Sequence, residues 1–216
     1  MRIMHLEAQR KAFQSVPNLD SLPQKIGLLY TIQYKPLFEK IKKELEKKGK
    51  KVIVGKALLS EGQIIGCNID SALLIQEKID CFALVSSGKF HAASLMLNTD
   101  KPIYIIGEKV EKIPQQEIDA LKKRRKAAVS KFLLADKIGI IVSTKHGQQK
   151  MNDALKIKKE LSNKKKVFLF VSDSINLKEL ENFKIDSWIN TACPGLALDA
   201  PNVINLSEYR SIEKFK

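Results

Sequence analysis

The sequence predicts an α/β protein with two duplicated three-layer domains, each built on a parallel sheet and joined by a connecting helix. Two observations predict this class. Apolar runs of strand length alternate with amphipathic stretches of helix length along the 216 residues. The same short sequence words also recur in the same order in both halves, which favours duplication of one β-α-β domain over a single long sheet.

The first half contains four predicted strands and three predicted helices. In the helix at residues 37–48, Leu37, Ile41 and Leu45 recur every four positions, and Gly49 ends it. The strands are predicted at residues 26–33, 52–54, 82–85 and 103–106, and the other two helices at 71–78 and 91–97.

The second half repeats this scheme, with strands at residues 138–142, 167–171 and 188–190 and helices at 152–162 and 177–182. Lys-Ile-Gly begins both halves, at residues 25–27 and 137–139. Ile-Lys-Lys-Glu-Leu recurs on the first helix of each half, at residues 41–45 and 157–161. We therefore predict an N-terminal tail at 1–24, an α/β domain at 25–112, a connector at 113–135 whose helix spans 115–134, and a second α/β domain at 136–216.

Composition excludes several classes of protein. No apolar run approaches the 18 or so residues of a membrane span, and the N-terminus lacks the apolar core of a signal peptide. The three cysteines have no short Cys-x-x-Cys spacing, which argues against a zinc ribbon or a disulfide framework and favours a reducing cytoplasm. The net charge of +14 favours an anionic partner such as RNA or a ribonucleoprotein, although Lys-rich helix faces are also ordinary solvated surface.

Two cysteines lie in loops that follow predicted strands. In parallel α/β sheets the functional site lies beyond the carboxyl ends of the strands. Cys67 and Cys193 occupy such loops, one in each half, and two thiols of this kind could bind an iron–sulfur cluster or a soft metal. The alternative is that each is a buried structural cysteine. Cys81 begins a strand, at the opposite end from the loops, and is predicted to be a core residue.

Two polar loops could hold an anion. One contains Ser87, Gly88 and His91, and the other runs over residues 143–148. Their backbone amides and nearby lysines suit a carboxylate or phosphate, but ordinary strand-to-helix turns have the same composition. Neither loop has the spacing of a phosphate-binding P-loop, and no nucleophile elbow supports a catalytic triad. The catalytic residues are therefore unknown from the sequence.

Several longer motifs carry a family resemblance. They are KIGLLYTIQ at 25–33, EGQIIGCN at 61–68, SGKFH at 87–91, the stretch 101–105, GIIVSTKHGQ at 139–148, and NTACP at 190–194 with Asp199. In this order they resemble the archaeal diphthamide synthase family, the 2-(3-amino-3-carboxypropyl)histidine synthases. The resemblance covers residues 25–208.

The resemblance implies a 3-amino-3-carboxypropyl transferase of the non-canonical radical S-adenosylmethionine type. Family members have three similar α/β domains, and each gives one cysteine to a four-iron four-sulfur (4Fe-4S) cluster. The cluster cleaves S-adenosylmethionine reductively, and the 3-amino-3-carboxypropyl radical adds to a histidine of archaeal elongation factor two, which begins diphthamide synthesis. By this resemblance Cys67 and Cys193 are cluster ligands. The residues expected to line the S-adenosylmethionine pocket are Ser87, Gly88, His91, Ser143, Thr144, Lys145, Gly147 and Gln148.

The match covers the family's second and third domains only. Gly195 also stands where the family usually has Arg, and His146 where Pro is usual. We therefore expect part of a split or multi-subunit enzyme whose first domain is a separate polypeptide, with dimers as in the family. Two alternatives are a degenerate, non-catalytic partner subunit and a basic RNA- or ribosome-binding module. A third, in which Cys81 supplies the missing ligand, conflicts with its place at the start of a strand.

Overall fold

The computed structural model describes residues 8, 15–57 and 60–213. The chain folds as two compact units, Met1–Asp119 and Ala120–Lys216. The division falls inside a 20-residue helix, Gln115–Leu134, whose ends coincide with those of the predicted helix. Most of the predicted N-terminal tail lies outside the described residues.

The first unit contains five strands and three helices before the long helix. They are β1 (Lys25–Tyr30), α1 (Lys35–Lys47), β2 (Lys51–Ile53), α2 (Asp70–Leu73), β3 (Cys81–Val85), α3 (Ala93–Asn98), β4 (Ile103–Ile106) and β5 (Val110–Lys112). The long helix Gln115–Leu134 is α4. The strand order is β2-β1-β3-β4-β5, and all neighbours are parallel except β4 and β5.

Side chains of this sheet are buried on both of its faces. Ile26 and Leu28 pack on the α1 side, in a cluster that also contains Ile41 and Leu45 of that helix. The opposite face, where Gly27 lies, meets the side chains of Ile75, Ile79 and Phe82. Residues that alternate along one strand therefore fill two separate cores, as the predicted three-layer arrangement requires.

The second unit has four strands in the order β7-β6-β8-β9, all parallel. Its elements are β6 (Lys137–Ser143), α5 (Met151–Leu161), β7 (Lys166–Ser172), α6 (Leu177–Leu180), β8 (Ser187–Asn190), β9 (Val203–Asn205) and α7 (Leu206–Glu213). Ile138 and Ile140 face a core that includes α4, α5 and α7, while Ile141 and Trp188 face a second core that includes α6.

The two units share details that explain the repeated Lys-Ile-Gly word. A β-carbon on Gly27 would lie 2.6 Å from the Ile79 side chain and 3.0 Å from the Phe82 ring of the neighbouring strand, and one on Gly139 would overlap the Trp188 ring. Gly27 pairs in register with Phe82, and Gly139 pairs with Trp188. Each glycine therefore makes room for an aromatic ring on the next strand.

An aspartate two residues before each aromatic ring is also repeated. Asp80 Oδ2 accepts a hydrogen bond from the Lys25 amide at 2.9 Å, and Asp186 Oδ2 accepts one from the Lys137 amide at 2.8 Å. The hydrogen bond to the Lys137 backbone amide holds the pKa of Asp186 below its ordinary value. The sequence repeat thus corresponds to a repeat of specific contacts, which supports duplication.

Several predicted boundaries were wrong. The strand predicted at 26–33 ends at Tyr30, and a short 3-10 turn, Ile32–Tyr34, leads into α1, where Pro36 lies in the first turn. The helix predicted at 71–78 breaks into α2 and a separate 3-10 turn, Gln76–Lys78. Ala72, Ile75 and Ile79 are nevertheless buried, so this segment packs its apolar side chains without forming one continuous helix.

Three elements were not predicted: β5, β9 and α7. Both strands have only three residues, too few for an alternating pattern to show. Because β5 runs antiparallel to β4, the first sheet is mixed at one edge rather than purely parallel. No helix in the described part of the chain is long and apolar enough to cross a membrane.

Candidate functional site

Cys67 lies at the tip of a tight turn beyond the carboxyl end of β1. Tyr30 donates its amide to the Gly62 carbonyl at 3.0 Å and accepts from the Ile64 amide at 2.9 Å. Ile65 and Asn68 then exchange two backbone hydrogen bonds at 3.0 and 3.1 Å. This places Gly66 and Cys67 at the tip, and Cys67 is exposed. Its thiol is therefore accessible to a metal or a reagent.

The turn that carries Cys67 is held against the segment that follows β3. Ser94 Oγ donates a hydrogen bond to the Gly66 carbonyl. The α-carbon of Gly66 lies beside the rings of Phe90 and His91, so a β-carbon there would approach His91 Nδ1 at 3.9 Å. Cys67 and the predicted pocket residue His91 therefore lie in neighbouring segments of the same unit.

His91 has a buried nitrogen with unsatisfied hydrogen-bonding capacity. Its Nδ1 finds no hydrogen-bond partner among the described residues. Burial lowers the pKa of His91 below its ordinary value of 6.5, so the imidazole is neutral at pH 7. A bound group that hydrogen-bonds to this nitrogen would remove the cost of leaving it unpaired.

A cavity of about 400 Å³ opens at this end of the first sheet. Ser87 and His91 line it, and the loop that follows β1 lines its other side. A neighbouring cavity of about 330 Å³ contains Gly88 in its wall. The three predicted pocket residues of this unit are thus together. The residues that line the larger cavity are Ala8, Thr31, Gln33, Tyr34, Ser86, Ser87 and His91.

The other five predicted pocket residues share one loop after β6 in the second unit. Ser143 is buried, and its Oγ accepts a hydrogen bond from the Lys145 amide at 3.1 Å. Thr144 Oγ1 donates to Asp173 Oδ1 at 3.3 Å, and the Gln148 amide donates to the Lys145 carbonyl at 3.0 Å. The structure places the Lys145 side chain and Gly147 in solvent. An anion could reach this loop, whereas the Ser143 hydroxyl already accepts a bond within it.

Cys193 lies in a loop held by two buried asparagines. Asn190 Nδ2 donates to the Cys193 carbonyl at 2.8 Å and to Asn205 Oδ1 at 2.9 Å. Asn205 Nδ2 in turn donates to the Pro194 carbonyl at 3.2 Å. Cys193 itself is half-buried. The backbone on both sides of its thiol is therefore fixed by side chains at the carboxyl ends of β8 and β9.

A buried arginine completes the support of this loop. Arg125 of α4 hydrogen-bonds to the carbonyls of Ala197 and Val203, the latter at 2.7 Å. Its guanidinium also makes a two-pronged ion pair with Glu208, at 2.9 and 2.6 Å. Glu208 Oε2 accepts from the Asn205 amide at 2.7 Å as well, which caps the start of α7. One connected network thus joins α4, α7 and the Cys193 loop.

The third cysteine has no access to solvent. Cys81 is fully buried at the start of β3, as predicted. Burial, with a smaller effect from the charge of Asp80, raises the pKa of the Cys81 thiol to about 12. A metal needs the thiolate form, so Cys81 does not fit a ligand role. The suggestion that it supplies a third cluster ligand has no support in the structure.

Cys67 and Cys193 do fit a ligand role as far as access is concerned. Cys67 lies in the first unit and Cys193 in the second. No group of three or more His, Cys, Asp or Glu side chains able to hold a metal ion occurs within residues 15–57 and 60–213. A cluster bound through three thiolates would therefore need a further ligand from outside these ranges.

Two sets of residues at these loops were not predicted. Thr31, Gln33 and Tyr34 line the larger cavity, but the prediction placed Thr31 and Gln33 inside a strand that ran to residue 33. If the strand had been predicted to end at Tyr30, these residues would have been candidates, because functional sites lie beyond the carboxyl ends of parallel strands. The pair of Arg125 and Glu208 lies 83 positions apart in the chain, and no local pattern distinguishes this arginine from its neighbours.

With this geometry established, comparison with known proteins identifies the family. The model of the diphthamide synthesis protein family matches residues 4–210. The chain belongs to this family. The resemblance inferred from the short motifs is therefore confirmed, and so is the α/β class with parallel sheets.

Relatives with assigned names are diphthamide biosynthesis enzymes. The 2-(3-amino-3-carboxypropyl)histidine synthase of Pyrococcus horikoshii is 28% identical over 190 residues, which are 86% of this chain and 55% of that protein. Subunit 1 of the synthase of Schizosaccharomyces pombe is 29% identical over 187 residues, which are 81% of this chain and 42% of the subunit. The chain thus spans about half the length of these relatives.

Solved structures of the family have the same fold. The crystal structure of Dph2 from Pyrococcus horikoshii with a 4Fe-4S cluster aligns with a TM-score of 0.78 and 27% identity. The alignment covers 92% of this chain and 59% of that chain. A second crystal structure of the same Dph2 also aligns with a TM-score of 0.78, at 26% identity.

Proposed function

We propose that this chain acts in diphthamide biosynthesis as the part of a split or multi-subunit 3-amino-3-carboxypropyl transferase that supplies two cluster ligands. Cys67 and Cys193 are the proposed ligands of a 4Fe-4S cluster. The proposed protein substrate is a histidine of archaeal elongation factor two, and the proposed co-substrate is S-adenosylmethionine. The observation that carries the proposal is the accessibility of these two thiols, each on a loop at the carboxyl end of a sheet.

The chemistry of the bound group determines what the chain has to provide. When bound, such a cluster supplies the electron and the iron site needed to cleave the sulfonium bond of S-adenosylmethionine. The chain provides thiolates, orientation of the co-substrate and exclusion of water. The network of Arg125, Glu208 and the two asparagines would hold the Cys193 backbone in one position.

The polar loops offer complementary groups for the amino-acid part of the co-substrate. The exposed ammonium of Lys145 suits its carboxylate. In the first unit, the unpaired His91 Nδ1 and the hydroxyl of Ser87 line one cavity, beside Gly88. We assign Ser87, Gly88, His91, Ser143, Thr144, Lys145, Gly147 and Gln148 to the co-substrate pocket on this basis.

The remaining ligand is proposed to come from a domain equivalent to the family's first domain. No third ligand lies with either proposed cysteine in the described residues. A reducing cytoplasm, where thiolates persist, is the proposed location.

Anaerobic reconstitution tests this proposal. Iron and sulfide are measured for the chain alone and with a separately produced first domain of the family, and the dithionite-reduced protein is examined by electron paramagnetic resonance. We expect about four irons per centre when the first domain is present, with a signal that S-adenosylmethionine perturbs. Absence of iron under both conditions would contradict the enzyme proposal and leave a non-catalytic partner subunit.

Variants that each replace one of the three cysteines identify which of them are ligands. Cys67→Ala and Cys193→Ala are expected to lose the cluster, whereas Cys81→Ala, the matched control, is expected to keep it. Far-ultraviolet circular dichroism verifies that each variant is folded. Equal iron loss in all three variants would show that the ligands are misplaced.

A further inference from the structure

Helix α4 differs from the other lysine-rich helices of this protein in its balance of charge. Between residues 120 and 135 the sequence has six lysines and arginines and no acidic residue. In α1 and α5, by contrast, the lysines are interspersed with glutamates or aspartates, as on an ordinary solvated helix face. The positive charge of this part of α4 is therefore not balanced by acids on the same helix.

Most of these cations lie on the exposed side of α4. Four of the six are exposed: Lys123, Arg124, Lys126 and Lys131. Arg125 is the exception, because it is 4% exposed and forms its ion pair with Glu208 inside the second unit. The opposite side of the helix packs in the core through Ala128 and Phe132. From Lys123 to Lys131 the helix rises about 12 Å, so the cations form a row on a fixed backbone.

Like charges are neighbours within this row. Lys126 has lysines three and four positions before it, and neither Lys126 nor Lys131 has an acid three or four positions away. Pairs of like charge at this spacing destabilise a helix. Arg124 makes only a long contact with Asp199, at 3.8 Å. These charges therefore contribute little to the fold, and a bound polyanion would relieve their repulsion.

A second group of lysines lies at the C-terminal end of α4. The Lys165 ammonium donates hydrogen bonds to the carbonyls of Leu133, at 3.0 Å, and Ala135. These bonds place the run of three lysines at residues 164–166 beside the end of the helix, where the first and third of them are exposed. The exposed cations of α4 and this run together form the basic patch: Lys123, Arg124, Lys126, Lys131, Lys164, Lys165 and Lys166.

The lysine run lies at the end of the second sheet opposite the Cys193 loop. Lys166 begins β7, which places it at the amino end of a parallel strand, whereas Cys193 follows the carboxyl end of β8. Two acids, Asp136 and Asp186, also lie at the amino ends of the strands, and Asp186 Oδ2 already accepts two backbone amides. Cations therefore outnumber acids here, at a place separate from the proposed cluster ligand.

We propose that the basic patch binds the phosphate backbone of double-stranded nucleic acid without reading its base sequence. A duplex carries one negative charge per about 1.7 Å of its axis, which a row of cations on a rigid helix can follow. Contacts from lysines to phosphates position a duplex but carry no sequence information. Phe132, the one aromatic residue in the α4 sequence, is buried, so the helix offers no ring on which single-stranded bases could stack.

Two other anionic surfaces fit the basic patch less well. A helix that lies on a lipid surface presents an apolar face to the membrane, but the apolar side of α4 is packed in the core, and its exposed leucines, Leu133 and Leu134, are confined to the last turn. A folded acidic protein presents carboxylates, which arginine pairs with two-pronged geometry. Six of the seven cations of the patch are lysines, which act as point charges.

Duplex binding by the unmodified chain is the first test. Fluorescence anisotropy measures the dissociation constants of an RNA and a DNA duplex of about 20 base pairs as the salt concentration rises. We expect the logarithm of the association constant to fall against the logarithm of salt with a slope of about −4 to −6, because each phosphate contact adds about 0.9. Binding of either duplex supports the proposal, and a difference between them identifies the nucleic acid.

Other anions are the comparison in the same assay. Polyglutamate and phosphatidylserine vesicles are expected to bind more weakly than a duplex at equal salt. Tighter binding of either one, or no duplex binding at about 50 mM salt, would overturn the proposal.

A matched pair of double variants locates the surface. Lys126→Gln with Lys131→Gln removes two cations of the basic patch. Lys40→Gln with Lys43→Gln removes two exposed cations of α1 that have glutamates three or four positions away. We expect the first pair to make the salt slope shallower by about two and to raise the dissociation constant at least about tenfold, and the second pair to change neither. Equal effects of the two would show that binding follows net charge and not the patch.

Misfolding and loss of the cluster are both distinguishable from loss of duplex binding. Circular dichroism melts show whether each double variant is folded, and the binding of the unmodified chain needs no variant. Iron content after reconstitution is expected to be the same in both double variants, because none of the four lysines is a proposed ligand. The proposal goes beyond the proposed transferase function, so either can fail alone.

Discussion

Gly139 lies directly against Trp188, in the core of the second unit that also contains Ile141, and a side chain there would not fit. Trp188 occupies the space that a β-carbon would take, and Phe170 and Phe183 contact the indole with ring centroids at 4.7 and 6.4 Å. The aromatic cluster is therefore built over a bare backbone position on the neighbouring strand. The repeat word Lys-Ile-Gly predicted the equivalence of Gly139 and Gly27 but not the rings that explain it.

Substituting this glycine tests the explanation. We expect Gly139→Ala to lower the free energy of unfolding by about 1–3 kcal/mol, because the core must shift to admit a methyl group. Urea unfolding followed by far-ultraviolet circular dichroism measures the change. Gly88→Ala is the control, since no atom lies within 4 Å of a β-carbon there. An equal loss in the control would refute the packing argument.

The three cysteines differ at the residue scale in both access and proton affinity. Cys81 keeps its proton up to about pH 12 in the folded chain, against an ordinary value near 9. At pH 7 to 9 we therefore expect iodoacetamide to label Cys67 and Cys193 while Cys81 stays unlabelled until the chain unfolds. Peptide mapping by mass spectrometry measures this. Labelling of native Cys81 at the rate of Cys67 would contradict its burial.

The raised pKa of Cys81 also makes the stability of the folded chain depend on pH. Above about pH 9 the unfolded chain releases the Cys81 proton while the folded chain retains it. The contribution of this thiol to stability therefore falls as pH rises from about 9 towards 12. The difference in urea midpoint between the wild-type chain and Cys81→Ala should change in that direction over this interval.

At the scale of elements, the loop between β8 and β9 is held from outside. Arg125 of α4 donates to the Ala197 carbonyl of this loop, and Glu208 of α7 binds the Arg125 guanidinium. The exposed Arg124 next to it makes only a long contact with Asp199, at 3.8 Å. Periodicity predicted helix α4 with its observed ends, but it could not separate the two arginines, because their difference depends on residues far along the chain.

The buried ion pair of Arg125 can be compared with the exposed ion pair of the adjacent Arg124. Glu208→Ala leaves the Arg125 guanidinium buried without its carboxylate and is expected to cost about 2–4 kcal/mol of unfolding free energy. Arg124→Ala removes an exposed pair and should cost less than about 0.5 kcal/mol. Urea unfolding gives both values, and hydrogen exchange should increase around Cys193 only in the first variant. Similar small costs for the two variants would show that the network does not hold the loop.

At the scale of the whole molecule, duplication explains the distribution of candidate ligands. Both units order their first four strands in the same way, with the first strand second in the sheet. Cys67 and Cys193 lie on loops at the carboxyl ends of their sheets, one in each unit. The antiparallel β5 and the long exposed β7 are the main departures from symmetry.

The sequence by itself determined the family, the α/β class, the order of most strands and helices, and the loops that carry Cys67 and Cys193. These features are local, because a motif or an apolar period is complete within about ten residues. Only the tertiary structure decided that Cys67 is exposed while Cys193 is half-buried, that His91 Nδ1 is unpaired, and that β7 is an open edge. Burial, hydrogen-bond partners and sheet order depend on residues far apart in the chain, such as Arg125 and Glu208, which are 83 positions apart, and no local pattern encodes them.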